Sequence, residues 1–354
     1  MDTTRYDVVI IGGGAAGLSA ATALSRALRS VLVVDAGTPR NAPAAGVHGY
    51  LSRDGMDPRE LLSIGRSEVL SYGGTVIEGE TVSARRSPDG FEVMLADGSR
   101  FFGRRLLVTT GLTDELPPID GLREQWGKGV VHCPYCHGWE IRGQRIGVLG
   151  TGPLSVHQAL LFRQWSSDIT LFLNDAVEPT DEEWEKLAAR SITVVNGAVA
   201  SVDTVDGVLT GLTLHQGNSF KVQALAVGPR MEARSALLDS LGATSRAHPS
   251  GVGRFIEADA LGGATAARGV YAAGNVSNLA AQVITAAAEG TMAGARINAD
   301  LIEEETRWAV EGRFGPFSAA SEAALSETVP GHRRHGIVAG QPVDRMGAAE
   351  TVER

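Results

Sequence analysis

Residues 6–17 place the strongest constraint on what this chain can fold into. A β-branched run over 6–11 meets Gly12-Gly13-Gly14-Ala15-Ala16-Gly17, an Ala/Leu-rich stretch with helical spacing follows over 18–29, and a second apolar strand over 31–34 ends on Asp35. Strand, glycine turn, helix and strand make a βαβ unit. Gly12 serves the tight turn, Gly14 lets the backbone approach a pyrophosphate, and Gly17 permits close packing of helix on strand. The helix N-terminus turns its amides toward phosphate, and Asp35 stands where a carboxylate accepts a ribose hydroxyl. Glycines alone would carry little weight; in this strand-helix-strand setting they point to a dinucleotide.

The same plan recurs downstream. Short strands over 75–79, 91–95 and 106–109, broken by Ser-Pro-Asp-Gly and Ala-Asp-Gly turns, read as a β-meander inserted into the first unit, ending in Thr109-Thr110-Gly111. A strand over 145–149, the turn Gly150-Thr151-Gly152-Pro153-Leu154-Ser155, a helix to about 164 and a strand over 169–173 form a second βαβ unit. A strand ending on Ala272-Ala273-Gly274-Asn275 precedes an alanine-rich helix over 280–299, then a charged helix to about 313. The Gly/Pro/Ser-punctuated tail over 313–354, with His332-Arg333-Arg334-His335, is expected to be partly disordered.

Composition narrows the chemistry. The chain has 354 residues, 43% of them hydrophobic, enough for one large or two ordinary cores. A net charge of -9 opposes nucleic acid and anionic membrane as general partners. Without a basic leader or a long apolar run, the chain is expected to be cytoplasmic and not to span a membrane. It holds 2 cysteines, both within His132-Cys133-Pro134-Tyr135-Cys136-His137. That placement rules out a disulfide framework between distant segments, and in a reducing compartment an isolated Cys-x-x-Cys reads as catalytic. His132 and His137 can take a thiol proton or stabilise a thiolate near neutral pH, or one of them can simply bond to backbone. Four ligands crowded into six residues do not match the separated pairs of structural zinc, so no metal is expected.

Taken in order, these features resemble the low-molecular-weight thioredoxin reductases, two-domain flavoenzymes. The resemblance covers roughly residues 5–300 and rests on GGGAAG with Asp35, Thr109-Thr110-Gly111, the Cys-x-x-Cys before a second glycine turn, and Ala272-Ala273-Gly274-Asn275 with Ala281-Gln282-Val283. It implies two Rossmann-like three-layer ββα domains. An FAD domain would be discontinuous over 1–114 and 246–312, with a NAD(P)-type domain carrying the cysteines inserted over 115–245, and the protein would be a homodimer. It further implies that Gly12, Gly14, Ala15, Ala16, Gly17, Asp35, Ala36, Arg40, Asn41, Thr110 and Gly111 serve FAD. His48, Gly274, Asn275, Ala281, Gln282 and Val283 would join them on the flavin side. Cys136 would face the flavin and Cys133 the substrate.

Three departures redirect the function. Where the reductases carry a His-Arg-Arg cluster for the NADPH 2′-phosphate, this chain reads Leu171-Phe172-Leu173-Asn174-Asp175-Ala176-Val177-Glu178, two acids and no base. A dianion there meets repulsion in place of guanidinium contacts, so NADPH binding of the usual kind is not expected, although Asp175 can accept a ribose hydroxyl of NADH. The second glycine turn carries Pro153 and Ser155, which favours a vestigial site. Finally, Cys-Pro-Tyr-Cys-His-Gly-Trp-Glu, together with 35–41 and 48–55, looks like the FAD-dependent dithiol oxidases that close disulfides in gliotoxin- or holomycin-type products. The expected activity is therefore oxidation of a small-molecule dithiol through Cys133/Cys136, with His137 and His132 assisting and oxygen as electron acceptor. The alternative is a thioredoxin-disulfide reductase acting on a thioredoxin-like protein with NADPH or another donor.

Overall fold

The structure, a computed structural model, describes residues 4–313. Apart from Arg313 itself, the tail expected over 313–354 lies outside the described residues, as does its His332-Arg333-Arg334-His335 cluster. The first βαβ unit forms with the strand Thr4–Ile11, the helix Ala15–Arg26 and the strand Val31–Asp35. The helix begins before residue 18, because Ala15 and Ala16 favour helix and Gly14 enters it from an extended conformation. It ends before residue 29, where Leu28 turns to a φ of 62° and breaks the helical path.

These strands belong to a seven-stranded sheet in the order Thr75–Glu78, Val31–Asp35, Thr4–Ile11, Arg100–Val108, Gly90–Leu95, Thr81–Ser87. The strand Arg100–Val108 serves two partners on one side. Its first residues pair antiparallel with Gly90–Leu95, and its last pair parallel with Val270–Ala272, which completes the sheet from far along the chain. The meander holds one strand more than expected, Thr81–Ser87, whose consecutive Arg85 and Arg86 mask the alternation.

A second, five-stranded sheet is parallel throughout: Thr193–Val195, Ile169–Phe172, Ile146–Leu149, Ala224–Val227, Val130–Val131. Its side chains alternate between two cores. Ile146 and Val148 join Phe162 and Leu171, while Leu149 joins Phe172, Leu212 and Leu225. An antiparallel ribbon, Val199–Val205, Val208–Leu214 and Ser219–Lys221, interrupts this unit. A four-stranded sheet pairs the outgoing strand Leu112–Glu115 antiparallel with the returning strand Arg230–Ala233, so the chain leaves and re-enters the first sheet's neighbourhood side by side. The architecture is the mixed α/β arrangement of two parallel-strand sheets that the two glycine turns imply.

Residues 1–300 make one compact unit and 301–354 a second, of which the described part is helical. The two helices expected over 280–299 and to about 313 are one, Val283–Arg313, because Leu301-Ile302-Glu303-Glu304-Glu305 is a run of helix formers with nothing to break it. Among the described residues no helix is long and apolar enough to cross a membrane.

Two helices of the first unit meet backbone to backbone. A Cβ at Gly290 would stand 2.0 Å from the Ala16 carbonyl oxygen, and one at Gly294 would stand 3.0 Å from that of Ala20. Alanine would ordinarily help a helix by up to about 1 kcal/mol. At position 290 the clash reverses the sign: Gly290→Ala is expected to destabilise the protein by about 2 kcal/mol or more, read as a fall in urea midpoint at unchanged slope. An unchanged midpoint would show that the two helices separate without cost.

Candidate active site

All four strands that frame the first glycine turn run parallel and end on one edge of the sheet, which is where open α/β sheets bind ligands. The residues expected to serve a dinucleotide gather there. Gly12 has a φ of 109°, and a Cβ on it would stand 2.5 Å from the Thr109 carbonyl oxygen. Gly17 is tighter still: its Cβ would sit 1.9 Å from the Gly12 oxygen. Around Gly14, by contrast, a Cβ would meet nothing within 4 Å, and no side chain caps the helix that Ala15 and Ala16 begin. The first-turn amides are therefore left for a ligand, and a pyrophosphate fits both the space and the charge.

Asp35 ends its strand beside Gly13 and Ala36, with one oxygen accepting the Gly37 amide at 3.3 Å and the other paired with Arg66. Gly111, with a φ of 70°, and Gly274, with a φ of 74°, mark the ends of the neighbouring strands. Two expected ligands have other work in the fold. The Thr110 hydroxyl donates to the Arg234 carbonyl at 2.6 Å. The Asn275 amide donates to the carbonyls of Asn278 and Ala281 at 3.0 and 2.9 Å, shaping the loop that carries Ala281 and Gln282 into the helix at Val283. Glu289 supports that loop by accepting the Gly274 amide at 3.0 Å and the Asn278 side chain at 2.6 Å. Nothing in the motifs marked Glu289, Arg66 or Asp114, since each lies in an ordinary helix or strand. Arg40 and Asp114 form a bidentate pair at 2.7 and 2.6 Å beside a cavity of about 350 Å³ lined by Arg59, Trp126 and Arg234. Asn41 lies in the same loop, its carbonyl accepting the Ala44 amide at 3.0 Å.

Cys133 and Cys136 stand as thiols at either end of one helical turn, Pro134–His137, entered from the strand Val130–Val131. Proline at the first position costs no hydrogen bond there. The two sulfurs differ sharply. The Cys136 thiol donates to Cys133, the amides of Cys136 and Tyr135 point at the same sulfur, and Arg40 adds positive charge, which outweighs burial and brings Cys133 down to about 7. The same bond, then burial, then the negative charge on Cys133 push Cys136 well above the ordinary thiol range. In the reduced pair, Cys133 is the nucleophile and Cys136 holds the proton.

Burial lowers both flanking histidines, so each is neutral at physiological pH. They are otherwise unlike. His132 has Nδ1 at 3.1 Å from the Val227 carbonyl oxygen; in the neutral ring that nitrogen carries the proton, leaving Nε2 as an acceptor. His137 has both ring nitrogens buried without a hydrogen-bond partner among the described residues. Glu140, His48 and His132 all act on its charge. A buried imidazole of this kind calls for a ligand atom.

The second glycine turn is closed by its own chain. The Ser155 hydroxyl accepts the amides of Thr151 and Gly152 at 3.0 and 3.3 Å. Asn174, in a left-handed conformation, bridges the Gly150 carbonyl and the Val199 amide at 3.0 and 2.8 Å. Asp175 and Glu178 are exposed.

Comparisons with known proteins fit this geometry. A family model described as pyridine nucleotide-disulphide oxidoreductase matches residues 6–290. The thioredoxin reductase tcpT of Claviceps purpurea (strain 20.1) is 32% identical over 318 residues, 83% of this chain and 95% of its own length. The thioredoxin reductase sirT of Leptosphaeria maculans is 29% identical, over 83% of this chain and 93% of its own. Among solved structures, that of HlmI superposes with a TM-score of 0.81 at 44% identity, covering 87% of this chain and 96% of that one. An oxidoreductase from Agrobacterium tumefaciens gives 0.79 at 36% identity, over 84% and 99%.

The asymmetry of the thiols has a direct readout. Alkylation of the reduced protein by iodoacetamide is expected to modify Cys133 first, its rate rising with pH through a midpoint at about 7. In Cys136→Ala the donated bond is lost, and the midpoint moves up toward an ordinary thiol. Preferential labelling of Cys136 would reverse the assignment.

Proposed function

The chain belongs to the pyridine nucleotide-disulphide oxidoreductase family, and on that premise we propose that it is an FAD-dependent dithiol oxidase acting on a small-molecule dithiol. The observation that carries this reading is the second glycine turn. Ser155 occupies its amides, and acids stand where a 2′-phosphate would need bases, which opposes the usual NADPH entry and favours a thiol substrate as the source of electrons.

The family is one that binds FAD, and the cradle at Gly12, Gly14, Gly17 and Asp35, with Thr110, Gly111, Gly274 and Gln282 around it, has the space and donors to hold it. When bound, FAD would supply a two-electron acceptor for the reduced Cys133/Cys136 pair, with oxygen as the final oxidant and hydrogen peroxide as its product.

The chain's own residues account for the thiol steps. His132 Nε2 takes the proton of the first substrate thiol, and the thiolate attacks the disulfide at Cys133, releasing Cys136. Cys136 leaves as a thiolate and takes the proton held by His132, which is then free to take the proton of the second substrate thiol. The second substrate thiolate then attacks the substrate sulfur of the mixed disulfide and expels Cys133. A thiol brought down to about 7 is a good leaving group. Bonds and electrons balance: one disulfide is made in the substrate and one is opened in the protein. Tyr135 and Trp139, 65% and 66% exposed beside the cysteines, offer apolar surface to the organic body of the substrate. The reading carries with it a homodimer and a cytoplasmic setting, where a free Cys-x-x-Cys stays available for catalysis.

The names of the fungal relatives favour a second reading, a thioredoxin reductase. One experiment separates the two. Under anaerobic conditions dithiothreitol is expected to bleach the flavin and stoichiometric NADPH to leave it oxidised, with dithiol-dependent oxygen uptake on re-aeration. Cys133→Ser should lose that uptake by about a thousandfold or more. Rapid bleaching by NADPH without dithiol-dependent uptake would establish the reductase. Ser155→Gly, which frees the two amides, should gain measurable binding of NADH by calorimetry.

A further inference from the structure

We propose that His48, held between Asp54 and Glu140, is a clip that positions the Cys133/Cys136 segment against the cofactor edge of the first sheet. Its chemistry rests on the oxidase reading above, but its geometry does not. His48 sits on a closed turn in which Val47 and Met56 form an antiparallel bridge and the Gly55 amide donates to the Val47 carbonyl at 2.8 Å. Asp54 accepts the Gly49 amide at 2.8 Å and faces His48 Nδ1 at 3.5 Å, so one carboxylate braces both the turn and the ring. The other ring nitrogen, Nε2, faces Glu140 Oε1 at 3.5 Å.

Glu140 lies just beyond the redox turn, so this contact reaches the segment that carries the thiols. The same loop also touches the inserted part of the chain through Arg40–Asp114 and through Pro43, whose Cβ lies 2.8 Å from where a Cβ on Gly127 would stand. Those two contacts fall on the strand Leu112–Glu115 and on Gly127; Arg40 acts on the thiols through its charge, whereas His48 contacts a residue of the redox segment itself. Gly49 in turn adjoins Gln282 on the cofactor edge: a Cβ there would stand 3.6 Å from the Gln282 Oε1. His48 thus links the cofactor edge to the redox turn, next to the unpartnered His137 ring on whose charge both His48 and Glu140 act. Glu140 and Asp54 are 43% and 70% exposed, so the contacts add little stability. Their effect is on position, and Glu140 and His48 are positioning residues.

The test uses the full chain loaded with FAD, as wild type, Glu140→Gln, His48→Gln and the double variant. Each single change is expected to raise both the alkylation rate of Cys133 and hydrogen exchange over residues 130–143 by about threefold or more, with no further rise in the double variant, because the two side chains act through one contact. Anaerobic bleaching of the flavin by dithiothreitol should slow by about tenfold in each. Exchange and alkylation at wild-type levels in both single variants, or effects that add in the double, would overturn the clip. If dithiothreitol fails to bleach the wild-type flavin, the oxidase reading falls, and the exchange and alkylation results still decide the clip.

Discussion

The close approach of backbones around Gly17 governs the first sheet and the site built on it. Helix Ala15–Arg26 packs so near the preceding strand that a single methyl at Gly17 would meet the Gly12 oxygen, and its other side touches the helix from Val283 through Gly290. This double contact aims the uncapped helix start along the strand ends. Moving the helix out by the width of a methyl would carry its amides away from Asp35 and from the loop at Gly274. The space left at Gly14 is the complement of that compression: the chain is tight where protein meets protein and open where a phosphate belongs.

The redox pair depends on a different balance. A thiol buried without help would be driven toward its neutral form, and Cys136 is held there by the bond it donates to Cys133 and by burial. Cys133 escapes because the donors around it, the Cys136 thiol and two amides of its own turn, stabilise the charge that burial opposes. The two cysteines thereby acquire different duties from one short turn. His132 shares in this order, its tautomer set by the Val227 carbonyl, which belongs to the second sheet. His137 is the less defined of the two, since no protein group orients either nitrogen among the described residues.

Local signals in the chain were reliable where backbone chemistry is local. Both glycine turns, the paired strands around them and the Cys-x-x-Cys turn were legible, because glycine, β-branching and helical spacing act within a few residues. Thr81–Ser87 was not, as its arginines face solvent on an edge where alternation is weak. The helix Val283–Arg313 read as two because a change of composition looks like a boundary even when every residue across it favours helix. Arg66 and Asp114 carried no motif: each matters through a partner distant in sequence, Asp35 and Arg40.

By itself, then, the sequence determined two glycine turns in strand-helix-strand settings, a single Cys-x-x-Cys between them and the absence of bases over 171–178, since each is a matter of residue identity at short spacing. Only the three-dimensional structure decided which cysteine carries the charge, which histidine has a free acceptor nitrogen, and that the Ser155 hydroxyl takes the Thr151 and Gly152 amides. Those outcomes turn on burial and on hydrogen-bond geometry, within one turn at Cys133 and Ser155 and, at His132, with the Val227 carbonyl of another strand.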